Sequence, residues 1–363
     1  MKDQREEFVR LASQADANVS ELCRRFGISR KTGYKWLNRD DLEDRSRRPH
    51  SSPARTCEQL EAQVVAVRAQ HPAWGARKIA HVLARDQGVH IARSTANSVL
   101  CRHGLINPAA SQAATAWQRF EHERPNALWQ MDFKGHFPTD TVRCHPLTVL
   151  DDHSRFNVVL HALDGERREP VQQVLRSAFE RYGLPERINA DNGPPWGSPM
   201  EGSLTTLGVW MIRLGVRLSH SRPHHPQTNG KDERFHRTMQ AELLSSRRFR
   251  DLDDAQRHLS HWRHIYNFKR PHQAIGMQTP ASRYSASARS MPSKLPPVEY
   301  GAQDIVRRVG DGGRIHFRGK AWRVGRALIG QHVALRPHSD SDGTFDVFFC
   351  HHKLDVIELC QPC

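Results

Sequence analysis

The sequence predicts a multidomain chain: all-α helical units first, an α/β sheet domain in the middle, and a small all-β barrel at the end. Three observations predict it. Apolar residues recur at helical spacing from Asn18 to Leu105, and from Ala127 onward strand-like alternation is interleaved with helical stretches. Alternation returns after a break at Pro292–Pro297. At 363 residues the chain is too long for one small core, and the expected domains are 1–56, 57–119, 120–290 and 291–363.

The first helical unit is written in "NVSELCRRFGISRKTGYKWLNR" (Asn18–Arg39). Asn18 is placed to cap a helix, with Glu21 as its capping-box partner, and Leu22 and Phe26 form an i, i+4 apolar stripe. Gly27 supplies the break, and Ser29 is placed to cap a second helix. That helix offers Arg30, Lys31, Tyr34 and Lys35 beside Trp36 and Leu37, which is helix-turn-helix spacing with a cationic face for a major groove. The bland alternative is a helical hairpin with a solvated face. Residues 40–56 lose periodicity and gather Ser, Pro and Arg, as linkers do. A second unit follows in Glu58–Gln70, Trp74–Gly88 and Ala92–Leu105, the last read as another recognition helix capped at Ser94.

The middle domain opens with a strand in Ala127–Gly135 that contains Asp132. Pro146–Leu163 reads as two strands around a polar turn at Asp151–Ser154, where Asp151 and Asp152 suit local hydrogen bonding. Then come a helix over Glu166–Tyr182, a strand over Glu186–Ala190, a helix over Leu204–Leu214 and a strand over Val216–Ser221. A last helix starts near Asn229 and carries Glu233, with Phe235, Met239 and Leu243 on its core side. At the C-terminus, "GRIHFRGKAWRVGRALIGQHVALRP" and "GTFDVFFCHHKLDVIEL" alternate between Gly and Asp breaks, and Arg318 is among the cations that could track a DNA backbone there.

Charge narrows the partner. The chain has 54 Lys+Arg against 39 Asp+Glu, a net charge of +15, and a pI near 10.0, which points to a polyanion such as nucleic acid. The opening MKDQREEF lacks a signal-peptide core and no apolar run reaches membrane-spanning length, so a soluble cytoplasmic protein is expected. Seven scattered cysteines argue against a disulfide framework. The C-x-x-C at Cys360–Cys363, near Cys350, His351 and His352, has no second pair to complete a zinc site.

Three acids stand out in this basic chain. Asp132 lies amid Met131 and Phe133, where a carboxylate is costly unless paired or metal-bound. Asp191 follows the strand "RINA" and precedes Asn192-Gly193, so it is either a turn residue or a ligand at a sheet end. Glu233 sits on the last helix. Hard oxygen donors at such positions suit Mg²⁺ and phosphoryl transfer. His220, His224 and His225 have no cysteine nearby, and with Arg222, Lys231, Arg234 and Arg237 they read as a DNA-phosphate-touching stretch.

"WQMDFKG", "LTVLDDHSRF", "INADNGPPW", "HPQTNGKDERFHRTMQAEL" and "YNFKRPHQAIGMQTPASRY" occur in order, and over residues 18–285 the chain resembles bacterial insertion-sequence transposases with a retroviral-integrase-type core. The group is the insertion-sequence four-eighty-one family, related to the insertion-sequence three family. The resemblance implies an RNase H-like core and a D, D, E triad at Asp132, Asp191 and Glu233. It implies two Mg²⁺ ions, replaceable by Mn²⁺, with Asp132 bridging them and the other acids completing one sphere each. It further implies binding of the element's terminal inverted repeats and of target duplex DNA by a homo-oligomer, with no membrane, in a nucleoid-associated cytoplasmic setting. Forty-one residues separate Asp191 from Glu233, longer than is common in the superfamily. The shorter spacing lands on Gln227, which is no carboxylate, and Asp232 is the neighbouring rival. Two other readings are a DNA-binding regulator with an inactive core and a nuclease that cuts without joining.

Overall fold

The structure, a computed structural model, describes residues 2–44, 55–106, 121–197, 204–220, 230–338 and 341–359. The chain forms two compact units, Met1–Thr56 and Cys57–Cys363.

Among its described residues the first unit has three helices, α1 (Lys2–Ala12), α2 (Val19–Arg25) and α3 (Arg30–Leu37). Asn18 caps α2 by accepting from the N–H groups of Ser20 and Glu21, both at 3.1 Å, and Ser29 caps α3 through Thr32 N at 3.2 Å. Helix α1 was not read from the sequence. It holds the unit together through Phe8, which is fully buried and meets Phe26 and Trp36 edge-on, each with centroids 5.5 Å apart. Gly27 takes the turn between α2 and α3 at φ +63°, and Gly33 lets α3 lie close on its neighbours. A Cβ at Gly33 would stand 2.6 Å from Cys23 Sγ and 2.9 Å from Phe8 Cζ.

The second unit begins with α4 (Glu58–Gln70), α5 (Ala76–Gln87) and α6 (Arg93–Arg102) around Val64, Trp74, Ile79, Leu83, Val99 and Leu100. Ser94 is not the cap of α6. The helix starts at Arg93 with Ala92 at the cap position, because the buried Ala96, Val99 and Leu100 fix its extent more strongly than one capping bond would. These helices dock on the segment that ends the central domain: Ile265 packs against their core, and Arg85 Nη1 donates to Lys269 O at 3.2 Å.

The central sheet contains β1 (Trp129–Phe133), the two-residue β2 (Phe137–Pro138), β3 (Arg143–Asp151), β4 (Asn157–Leu163), β5 (Arg187–Ala190) and β6 (Arg217–His220). The long strands run in the order β4-β3-β1-β5-β6, with β2 on the start of β3. The β1–β3 and β3–β4 pairs are antiparallel, whereas β1–β5 and β5–β6 are parallel. An antiparallel meander followed by parallel strands through helical crossovers is the RNase H-like arrangement. Helices α7 (Arg168–Tyr182) and α8 (Thr206–Arg213) cover one face over Trp129, Met131, Leu147 and Val149. Helices α9 (Gly230–Glu242) and α10 (Leu252–His264) cover the other over Leu150, Leu160 and Ala162. After the short α11 (Pro280–Arg283), the chain enters the C-terminal region.

That region is all-β, with β7 (Ile305–Arg308), β8 (Arg314–Phe317), β9 (Lys320–Arg323), β10 (His332–Pro337), β11 (Thr344–Phe349) and β12 (His352–Glu358). Among the described residues the pairing is a four-stranded sheet, β12-β11-β10-β7, and a separate β8-β9 hairpin, rather than one closed ring. Both line one apolar core, which also takes Val209 and Ile212 from α8, so this region is anchored on the central domain. No helix among the described residues is long and apolar enough to cross a membrane.

Candidate active site

Strand periodicity aims the first acid. Trp129 and Met131 point into the core under α7 and α8, so Gln130 and Asp132 point to the α9 side. There Asp132 Oδ2 lies 3.9 Å from His236 Nδ1, with its side chain 22% exposed. Burial, then the charge of Asp191, and less strongly Glu166 and Glu233, raise the Asp132 carboxyl to about 7. A hydrogen bond from the Phe133 backbone N–H opposes them. The charges of both other candidate acids thus reach Asp132.

Asp191 follows the last residue of β5. Its Oδ1 accepts from Gly193 N at 3.0 Å, which is turn chemistry, and from Trp196 Nε1 at 2.5 Å. His220 Nδ1 at the end of β6 meets its carbonyl oxygen at 2.9 Å. The half-buried carboxylate is therefore held in place at the sheet end.

On α9, Asp232, Phe235, His236 and Met239 form an i, i+3, i+4, i+7 stripe that faces the sheet. Glu233 lies one position around the helix and is exposed, at the rim. Asp232 is fully buried, and neither of its carboxylate oxygens has a hydrogen-bond partner among the described residues. Burial first, then Asp132 and Asp152, push its carboxyl far above the usual range. His236 Nε2 pairs with Thr148 Oγ1 at 2.8 Å, and that hydroxyl donates to Asp132 O at 2.9 Å. Burial, helped by Lys134, pushes His236 down to about 3, so it is neutral.

Asp151 and Asp152 hold the structure together. Asp151 accepts from Asn126 N (2.7 Å), Ser154 N (2.8 Å) and Ser154 Oγ (2.6 Å). Asp152 accepts from His122 N and Gln130 Nε2, both at 2.9 Å, and from the Lys231 ammonium. Lys231 therefore departs from the DNA-contact reading: its side chain is 18% exposed and committed to Asp152. Sequence reasoning missed this pair, and it missed His236, which the stripe starting at Asp232 would have shown. Glu166, hydrogen-bonded to His145 Nδ1 at 3.0 Å, left no readable signal.

Arg234 and Arg237 are exposed on α9. Arg30, Lys31, Tyr34 and Lys35 are all exposed on α3, with Tyr34 54% accessible despite its size. Arg318 is exposed, its guanidinium 5.7 Å from the Phe317 ring centre and 5.3 Å from that of Phe345. Arg222, His224, His225, Gln227, Asn229, Cys360 and Cys363 lie outside the described residues. Among those described, no three His, Cys, Asp or Glu side chains already form a metal cage. The acids nevertheless suit a hard cation in kind: oxygen donors whose like charges converge on Asp132.

Comparison with known families agrees with this layout. Residues 4–50 match a helix-turn-helix domain and 32–100 a homeodomain-like domain, while 122–226 and 214–280 each match an integrase core domain. Residues 304–361 match the C-terminal domain of IS481 family transposases. At its C-terminus the chain is thus similar to IS481 family transposases. The chain is 26% identical over 295 residues to an uncharacterized 31.7 kDa protein of insertion element IS407 from Burkholderia multivorans, covering 77% of this chain and 95% of that one. An uncharacterized 39.2 kDa protein of insertion element IS476 from Xanthomonas euvesicatoria is 29% identical over 166 residues, 46% of each chain. A chain of the simian T-cell lymphotropic virus intasome, solved with the PP2A regulatory subunit B56 gamma, aligns at 17% identity and TM-score 0.39, covering 81% of this chain and 99% of that one. The transposase is thus a DDE-type polynucleotidyl transferase that binds DNA through helix-turn-helix domains and integrates it.

Proposed function

We propose that this transposase binds the terminal inverted repeats of its insertion sequence and catalyses Mg²⁺-dependent DNA cleavage and strand transfer, with Asp132, Asp191 and Glu233 as the working carboxylates. The observation that carries the reading is placement: Asp132 on β1 and Asp191 just past the end of β5 lie on neighbouring parallel strands, and α9, which bears Glu233, brings His236 to 3.9 Å from Asp132. These three side chains would hold two divalent ions, Mg²⁺ or Mn²⁺. When bound, such ions activate water or a DNA 3′-hydroxyl and stabilise the leaving oxygen.

The chain's own residues supply position. Trp196 and Gly193 fix the Asp191 carboxylate through its Oδ1. His236 and Thr148 brace β1 next to Asp132, and the neutral imidazole adds no charge that would compete for the carboxylate. No Ser or Tyr is needed as a nucleophile. Arg30, Lys31, Tyr34 and Lys35 read the element end, while Arg234, Arg237, Arg318 and Arg222 grip phosphates. The active species is a homo-oligomer on DNA, working at the nucleoid.

The test is incubation of the purified chain with a duplex of the element's end and a target duplex, with Mg²⁺ or with chelator. Joined product in Mg²⁺ alone is expected. Cutting without joining would support a nuclease, and binding without either would support a regulator.

A further inference from the structure

The transposition reading does not use Asp152, although this carboxylate is only 1% exposed. Its partners come from separate parts of the fold: His122 N before β1, Gln130 Nε2 on β1, and the Lys231 ammonium in the first turn of α9. Lys231 Nζ also approaches the Asp152 carbonyl oxygen at 3.4 Å. Removing one partner of such a pair leaves an uncompensated buried charge, so the pair constrains geometry more reliably than it adds stability.

Lys231 precedes the buried Asp232 and sits two residues before Glu233. One turn further along α9, His236 is tied through Thr148 to β1 beside Asp132. The helix segment that carries Glu233 is therefore held at both ends, by the β3–β4 turn and by β1.

We propose that Asp152 and Lys231 form a latch that fixes the first turn of α9 and so places Glu233 against Asp132 for divalent-ion binding. Lys231 is a positioning residue for the metal site rather than a phosphate grip. The proposal rests on the reading of Glu233 as the third carboxylate.

The full chain is titrated with Mn²⁺ by calorimetry, and strand transfer is followed against Mg²⁺ concentration. Lys231→Met should weaken Mn²⁺ binding by about 10-fold or more, the usual effect of losing a residue that orients metal ligands, and raise the Mg²⁺ needed for half activity. Affinity for the end duplex should stay unchanged. The double variant Asp152→Asn/Lys231→Met removes both charges and leaves none orphaned, so it should melt near the parent temperature yet bind Mn²⁺ as weakly. It decides the matter even where Lys231→Met fails to fold. Parent-like Mn²⁺ binding by the double variant would overturn the latch, as would a loss confined to the salt-dependent part of DNA binding. Glu233→Gln is run alongside. If it keeps full activity, the third-carboxylate reading falls and takes the latch with it; if it is silent while the double variant is unaffected, the latch alone falls.

Discussion

Asp232 and Glu233 are adjacent in sequence but occupy opposite situations. Helical spacing turns Asp232 inward with Phe235 and Met239, while Glu233 stands at the exposed rim, where an ion and DNA phosphates can reach it. Glu233→Gln should therefore silence strand transfer in Mg²⁺, and Asp232→Asn should retain most of it. A silent Asp232→Asn beside an active Glu233→Gln would move the third ligand by one position. The acids themselves were legible in the sequence because carboxylates in and after apolar strands are conspicuous. The tertiary partners were not: Lys231 looks like any cation near a DNA-facing helix until the fold brings Asp152 to it, 79 residues away in sequence.

At the scale of elements, the central strands were readable as short apolar runs bounded by turn residues, and the order from β1 to α9 was recovered apart from the two-residue β2, whereas α10 and α11 were not read. Helix α1 escaped because one fully buried side chain, Phe8, makes no stripe. Gly33 depends on that packing. Gly33→Ala gains about 1 kcal/mol of helix propensity but forces a methyl against Cys23 Sγ, and overpacking of this kind costs about 1–3 kcal/mol. The expected net result is lower stability in denaturant titration and weaker end binding; a stabilised variant would refute the packing account. At the edge strand β4, Asn267 takes Asn157 N at 2.9 Å and donates to Asn157 O at 3.0 Å. Arg263 Nε also holds that oxygen, so Asn267→Ala strands only the N–H. Its expected cost is about 1–3 kcal/mol in equilibrium unfolding; a change within error would show that another group closes this edge.

Across the whole molecule, domain order was legible but docking was not. Ile265 packs against the α4–α6 cluster, and Val209 and Ile212 of α8 pack against the C-terminal sheets, contacts that helical spacing alone does not announce. DNA recognition should divide between regions. Arg30→Ala or Lys31→Ala is expected to reduce discrimination between end and scrambled duplexes by about 1–3 kcal/mol. Arg318→Ala should weaken binding to both alike and lower the salt slope by about 1. Equal losses on both duplexes for the α3 variants would assign that helix to backbone contact. The central claim, that acids converging on Asp132 perform strand transfer, is tested most directly by Asp132→Asn and Asp191→Asn in a Mg²⁺ strand-transfer assay, with end binding measured on the same preparations. Both variants should bind the element end like the parent and yield no joined product. Joined product at the parent level from either variant would contradict the account.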